Sequence, residues 1–279
     1  MASAPRIPFS RIFLMFGVIP LLFIAGVQLF VLSEQTATYF AWTIASPLTA
    51  AFLGAGYWAA LCAAYLGLRH AGRPSVETSI PGSFVATTLL GIATFLHLDK
   101  FHLASPLLIT RFVTWVWILV YVVTPPIFLV LLIKQNAASK PVNPAGTAPA
   151  WLRIGFVLQA LLCVVVGVLL FVLSGSLIPI WPWALTPLTA QAVGAWLVTF
   201  GVACAVVYRA NDLRSSTGTI SSLLAFCILQ SVVVARYFYA IDWAKPLAWL
   251  YLLLLVAGIL TGLSGLLVGA TKPAEGRMA

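Results

Sequence analysis

The chain has 279 residues, of which 62% are hydrophobic and 8% charged, with a mean hydropathy of +1.07. So little polar surface cannot cover a soluble globule, and the composition belongs in a lipid bilayer. The formal charge of +9 does not point to nucleic acid as a partner, because the basic residues stand singly at the ends of apolar segments, with no basic stripe or interleaved aromatics.

Eight apolar runs of about 20 residues, the length that crosses a bilayer, follow one another at 11–33, 43–68, 81–99, 107–133, 152–174, 184–208, 218–239 and 246–270. Pro, Gly or charged residues separate them. The expected fold is an all-α integral membrane protein of eight transmembrane helices. The first run, behind Arg6 and Arg11, has the layout of a secretory signal. Its Leu29-Phe30-Val31-Leu32-Ser33 nevertheless recurs as Leu170-Phe171-Val172-Leu173-Ser174, so the run has a counterpart deep in the chain and is expected to stay as a helix.

The second run opens on Ser46-Pro47-Leu48-Thr49-Ala50 followed by Gly54-Ala55. The sixth opens on Thr186-Pro187-Leu188-Thr189-Ala190 followed by Gly194-Ala195, displaced by 140 residues. Arg69 with Arg209, and Pro106 with Pro246, keep that displacement. The pattern reads as an internal duplication: residues 1–134 form a first four-helix repeat, 135–150 a cytoplasmic linker, and 151–279 a second repeat. The linker carries Lys140, Pro141, Asn143, Pro144 and Gly146. Four helices is an even number, so both repeats enter the membrane the same way, related by a pseudo-two-fold axis along its normal.

Alternate sides of the expected topology differ in basic residues. One side holds Arg6, Arg11, Arg69, Arg73, Lys134, Lys140, Arg153, Arg209, Arg214, Lys272 and Arg277; the other holds Lys100, Arg111, Arg236 and Lys245. The positive-inside rule then places both termini in the cytoplasm of a protein of the cell membrane.

The repeated motif, with Pro47, Thr49 and Gly54 matched by Pro187, Thr189 and Gly194, is chiefly a means of building helices. Ser46 or Thr186 caps free N–H groups, Pro takes the first helical position, and small residues four apart admit a close neighbour. Its functional reading is a pair of helix N-termini turned toward an outer vestibule for an anion or lipid headgroup. Trp42 and Trp183, just ahead of the caps, read as interfacial anchors.

The densest polar stretch is Leu96-His97-Leu98-Asp99-Lys100-Phe101-His102, opposite Arg236-Tyr237-Phe238-Tyr239-Ala240-Ile241-Asp242 in the second repeat. Ionisable groups at the membrane boundary are costly and often mark a pathway or site. His97, Asp99, His102, Arg111, Arg236, Tyr237, Tyr239 and Asp242 are therefore the candidate ligand-binding residues. The plainer account is interfacial pairing, Asp99 with Arg236 or Asp242 with Lys100. His97 and His102 are five apart, off a common helical face, and no histidine stands opposite them, which argues against a metal centre.

Arg111, a turn inside the fourth run, either snorkels to the interface or faces inward toward an anionic group. Glu34 reads as a solvated loop residue. His70, Arg73 and Glu77, facing Asn211, Asp212 and Arg214, read as orientation signals. Pro125-Pro126 should kink the fourth helix and free carbonyls within the membrane. Cys62, Cys163, Cys204 and Cys227 lie singly in apolar runs and read as small core residues. Catalytic motifs are lacking: no G-x-S-x-G, no H-E-x-x-H, no phosphate-binding glycine loop and no pair of buried carboxylates.

P-L-T-A-x-x-x-G-A in both repeats, together with L-H-L-D-K-F-H at the end of the third run, resembles an uncharacterised family of bacterial multi-pass membrane proteins. The resemblance covers most of the chain and implies a shared fold, with no activity or catalytic residues to carry over. In architecture the chain is also similar to haem A synthase, which has two four-helix halves. That family holds haem with paired histidines, whereas Tyr237 and Asp242 stand opposite His97 and His102 here.

The expected function is non-enzymatic: binding or transport of a small molecule or lipid through an outer-facing cavity between the repeats. One alternative is a membrane redox protein or enzyme using His97 and His102 with haem, metal or quinone. Another is an accessory subunit of a membrane complex, as a homo- or hetero-oligomer.

Overall fold

The computed structural model describes residues 13–69, 78–138 and 147–271. Arg6, Arg11, His70, Arg73, Glu77, the linker residues Lys140, Pro141, Asn143, Pro144 and Gly146, and Lys272 and Arg277 lie outside them.

Helix α1 covers residues 13–31 and joins Phe13–Val18, Ile19–Gly26 and Val27–Val31, the outer two with π-helical turns. Then come α2 (Pro47–Arg69), α3 (Ile80–Leu96), α4 (Leu108–Ala138), α5 (Ala150–Val172), α6 (Pro187–Ala210), α7 (Thr217–Arg236) and α8 (Pro246–Thr271). Six of these, α2 and α4 to α8, are long and apolar enough to cross a membrane, while α1 and α3 are shorter apolar helices. At 1.5 Å per residue a helix of 17 residues, the length of α3, spans about 26 Å against a hydrocarbon core of about 30 Å. The chain is an all-α, multi-pass, membrane-type protein.

Local chemistry fixes the helix starts. Ser46 Oγ accepts the Thr49 N–H at 3.3 Å ahead of Pro47. Thr186 and Thr189 form a full capping box ahead of Pro187, with bonds of 3.3 and 2.8 Å. The second run therefore starts at Pro47 and not at 43, and residue 42 pairs instead in a short antiparallel bridge between Trp42 and Phe101. The third and seventh runs end three residues earlier than expected, at Leu96 and Arg236, because His97 and Tyr237 leave helical geometry and a 3₁₀ turn follows each. Asn211 closes α6 in the left-handed conformation (φ 47°), and its Oδ1 accepts the Ala148 N–H at 3.2 Å, tying that end to the start of α5. Helix α4 runs unbroken through Pro125 and Pro126. The Tyr121 carbonyl, one of two that lose their intrahelical partner to these prolines, lies against Gly91 of α3.

Helices α2 and α6 form the centre. α1 and α7 pack on α2, α5 and α3 pack on α6, and the outer helices α4 and α8 lean on α3 and α7. A close seam joins α5 to α6. There a Cβ at Gly194 would sit 2.6 Å from the Gly167 carbonyl oxygen, and one at Gly201 would sit 2.9 Å from the Ala160 oxygen. Gly54 does the same for α1 and α2, where a Cβ would lie 2.8 Å from Leu29 C and Phe30 Cα. With no hydrophobic drive between helices in lipid, such close approach supplies the van der Waals contact that holds them.

Trp42 and Trp183, expected as interfacial anchors, are core residues with 3% and 4% exposure. Each packs in an aromatic cluster with tilted or edge-on rings, Trp42 with Phe40, Phe101 and Trp117, and Trp183 with Phe52, Trp181 and Tyr251. The lipid-compatible surface falls to the outer helices, which expose Phe112, Trp115 and Leu119 on α4, and Trp249, Leu253, Leu260 and Leu267 on α8.

Candidate functional site

The polar residues singled out by sequence gather at the end of the bundle that carries the α1–α2, α3–α4, α5–α6 and α7–α8 connections, yet they serve separate tasks. His102 closes a loop. Its Nδ1 lies 3.1 Å from the Phe40 carbonyl oxygen, which can only accept, so this nitrogen carries the proton. In the neutral ring Nε2 is left to accept from the Thr43 hydroxyl at 3.0 Å. Both ring nitrogens are thus used to bind the α3–α4 turn to the α1–α2 connection, reinforced by the His102 N–H on the Ala41 oxygen (3.0 Å). His97 goes elsewhere, and its Nε2 donates to Gln191 Oε1 of α6 at 3.1 Å. Among the described residues no group of three or more His, Cys, Asp or Glu is disposed to hold a metal ion.

The expected pairs Asp99–Arg236 and Asp242–Lys100 do not form. Asp99 pairs with its neighbour Lys100 at 2.8 Å in full exposure, and that hydrogen bond holds its carboxyl below the ordinary value. Asp242 lies 3.9 Å from Lys245, and Lys245 Nζ donates to the Trp181 oxygen at 2.8 Å. With the Asp242 N–H on the Pro182 oxygen (2.7 Å), this pair straps the α7–α8 turn to the α5–α6 connection. Sequence neighbours win because a short turn holds them together at no loop-closure cost, whereas the cross-turn partners would need a further ordered contact.

Arg236 and Tyr237 make a clamp. Arg236 donates to the Phe30 oxygen at 2.9 Å, lies 3.7 Å from Glu34 and packs over the Tyr237 ring at 5.0 Å. The Tyr237 hydroxyl meets buried Ser33 Oγ at 2.6 Å. Glu34, expected to be a solvated loop residue, is exposed but carries this contact. Tyr239 is 99% exposed. Arg111 is exposed on α4 and does not face the interior. Thr49 Oγ1 reaches 3.3 Å to the Ala184 oxygen, while Thr189 stays within its own cap. Of the eight candidate residues, His102 and Asp242 serve loop straps, Arg236 and Tyr237 the helix clamp and His97 a bond to α6, while Asp99, Arg111 and Tyr239 are exposed.

A different place has the features of a pocket. Between α5, α6, α7 and α8 lies a cavity of about 40 Å³. Its walls are Leu197, Leu223, Leu254, Leu255, Phe200 and Phe226, with Gln159, Tyr251 and three of the four cysteines, Cys163, Cys204 and Cys227. Gln159, Cys163 and Leu254 are half-exposed, so the cavity reaches the lipid-facing surface between α5 and α8. Gly258 lets Cys227 of α7 pack directly against α8 beside the cavity, because a Cβ there would run into Cys227 Sγ. Buried Gln230, 0% exposed, supports the wall from behind: its Nε2 donates to the Phe52 oxygen of α2 at 3.0 Å and its Oε1 accepts from the Tyr251 hydroxyl at 2.8 Å.

Sequence reading passed over this cavity because its members are one or two per helix, with no spacing that joins them. The available signal was a lone amide in an otherwise apolar run, Gln159 in α5 and Gln230 in α7. Compared with known protein families, curated proteins and solved structures, the chain has no match.

Proposed function

We propose that the protein is an eight-helix protein of the cell membrane, built as two parallel four-helix repeats (residues 1–134 and 151–279, linked by 135–150) with both termini cytoplasmic, and that it binds or moves a small apolar molecule or lipid. The cavity between α5 and α8 carries the binding assignment: it is apolar, bounded by four helices and edged by a few polar groups, and at about 40 Å³ it has room for the tip of a ligand whose remainder lies outside it. It lies inside the second repeat, whereas the sequence suggested the junction of the two. The outer ends at that junction are occupied by the Arg236–Tyr237 clamp and the His97–Gln191 bond.

Several observations support the repeat. α2 and α6 start at Pro47 and Pro187, and α3 and α7 end at Leu96 and Arg236, both pairs displaced by 140 residues. The residues after α3 and α7 share a backbone conformation, φ/ψ −129°/32° at His97 and −118°/32° at Tyr237. The strap from the His102 N–H to Ala41 has its counterpart from the Asp242 N–H to Pro182. α3 packs on α6 as α7 packs on α2, which is the exchange expected of a two-fold axis between α2 and α6. The excess of basic residues in the sequence segments assigned to that side of the expected topology favours cytoplasmic termini.

The test is extraction in mild detergent followed by mass analysis of co-purifying molecules, comparing the native chain with Cys163→Phe, which fills the half-exposed mouth of the cavity. A molecule retained at near-stoichiometric amount by the native protein and lost from Cys163→Phe supports binding at this place. Equal retention by both, or none by the native protein, overturns it.

A further inference from the structure

The hydrogen-bond network around the cavity fixes which way its polar groups face. Thr261 Oγ1 lies 2.9 Å from the Ala257 oxygen and 3.3 Å from the Gly258 oxygen, both acceptors, so the threonine's proton is spent on its own helix. Its oxygen is then free to accept, and the Gln159 atom 2.8 Å away is the amide nitrogen. Gln159 Oε1 is thereby turned away from Thr261, toward Cys204 Sγ at 3.9 Å. The same logic applies on the other wall. The Phe52 oxygen can only accept, so Gln230 gives it the amide nitrogen and offers its oxygen to Tyr251. Tyr251 must donate its one proton to that oxygen, which leaves lone pairs on the phenolic oxygen.

Gln159 and Tyr251 are the strongest hydrogen-bonding residues among those lining the cavity; Gln159 Oε1 accepts only the weak Cys204 thiol, the Tyr251 hydroxyl is directed to Gln230 behind the wall, and the remaining polar atoms are thiols, which are weak donors. None of the lining residues is charged. An ion would enter at heavy desolvation cost, and a ligand head that only accepts, such as a quinone carbonyl, would meet oxygen with oxygen. About 40 Å³ admits a head of a few atoms at most. The body of the ligand must lie outside the cavity, along the apolar outer surfaces of α5 and α8, which expose Leu158 and Leu161, and Leu253 and Val256.

From this, and resting on the binding site proposed above, we infer that the cavity takes the hydroxyl head of an uncharged, membrane-soluble alcohol whose hydrocarbon body lies along the outer surfaces of α5 and α8. The hydroxyl donates to Gln159 Oε1.

The test uses the full chain in lipid nanodiscs and a photoactivatable long-chain primary alcohol, with cross-linked residues identified by mass spectrometry. Unlabelled hexadecanol, its methyl ether and hexadecane compete. The expected result is cross-linking to α5 and α8 near Cys163, with hexadecanol competing at a concentration about fivefold or more below the ether, the effect of one retained hydrogen bond. Gln159→Met should remove that preference while leaving cross-linking in place. Equal competition by alcohol and ether in the native protein overturns the alcohol assignment and leaves the apolar site standing. Cross-linking that no competitor reduces overturns both. The native comparison decides the matter even if Gln159→Met does not fold.

Discussion

Replacing Gly54 by alanine adds one methyl group where the backbone of α1 already stands. The new carbon would lie 2.8 Å from Leu29 C and Phe30 Cα, and closer still to the Phe30 nitrogen. These are backbone atoms, so no rotamer change relieves the overlap. Contact between such atoms is comfortable at about 3.5–4.0 Å, and α1 must move off α2 by most of the difference along the seam. Overpacking of this kind costs about 1–3 kcal/mol, and alanine's better helix propensity returns about 1 kcal/mol. A net loss of up to about 2 kcal/mol is expected. Gly194→Ala should behave alike on the α5–α6 seam, where the obstruction is the Gly167 carbonyl oxygen at 2.6 Å. Gly82→Ala is the internal control, since its methyl would find nothing nearer than 3.8 Å and should be neutral or stabilising. The assay is reversible unfolding in mixed micelles with increasing SDS, followed by tryptophan fluorescence and circular dichroism. Gly54→Ala and Gly194→Ala as stable as Gly82→Ala would refute the close-packed seams.

Gln230→Leu should cost about 1–3 kcal/mol in the same assay, because it leaves the buried Tyr251 hydroxyl without an acceptor, and adding Tyr251→Phe should return part of the loss. Tyr237→Phe and Arg236→Gln should each cost about 1 kcal/mol, and with Ser33→Ala present Tyr237→Phe should cost almost nothing further. Asp99→Asn should leave stability unchanged at neutral pH, since its pair with Lys100 is solvent-exposed. Because the Asp99 pKa is lowered in the fold, any contribution is present above the ordinary carboxylate pKa and is lost as pH falls from there through the lowered one; a midpoint in acid that shifts on Asp99→Asn would show that the pair is stronger than its exposure implies.

The membrane class and most helix boundaries were legible because they rest on local, periodic information. Apolar runs of spanning length, and Pro47, Pro187 and Pro246 at helix starts, need no knowledge of neighbours. Side-chain partners were not legible for the opposite reason. Trp42 has the sequence context of an interfacial anchor, and its burial depends on Trp117, 75 residues away, folding over it. Arg111 looked like a possible inward charge, but the face that α4 turns to the bundle carries Thr110, Thr114, Trp117 and Tyr121. The candidate histidines drew attention by residue type, while the cavity is assembled from leucines, cysteines and one amide on four helices. Only the packing of α5 through α8 brings those residues together.

The central claim is that an apolar molecule occupies the cavity between α5 and α8, and residue-resolved thiol alkylation tests it most directly. Native membranes are treated with N-ethylmaleimide with and without added hexadecanol, and modification of each cysteine is followed by mass spectrometry. Cys163 lines the cavity and is partly exposed, and Cys62 on α2, also partly exposed but remote from the cavity, is the reference, each cysteine being compared with its own rate without the alcohol. Occupancy predicts that hexadecanol slows modification of Cys163 severalfold while Cys62 reacts at its original rate. Equal rates at Cys163 with and without the alcohol, or equal slowing at both cysteines, would contradict it.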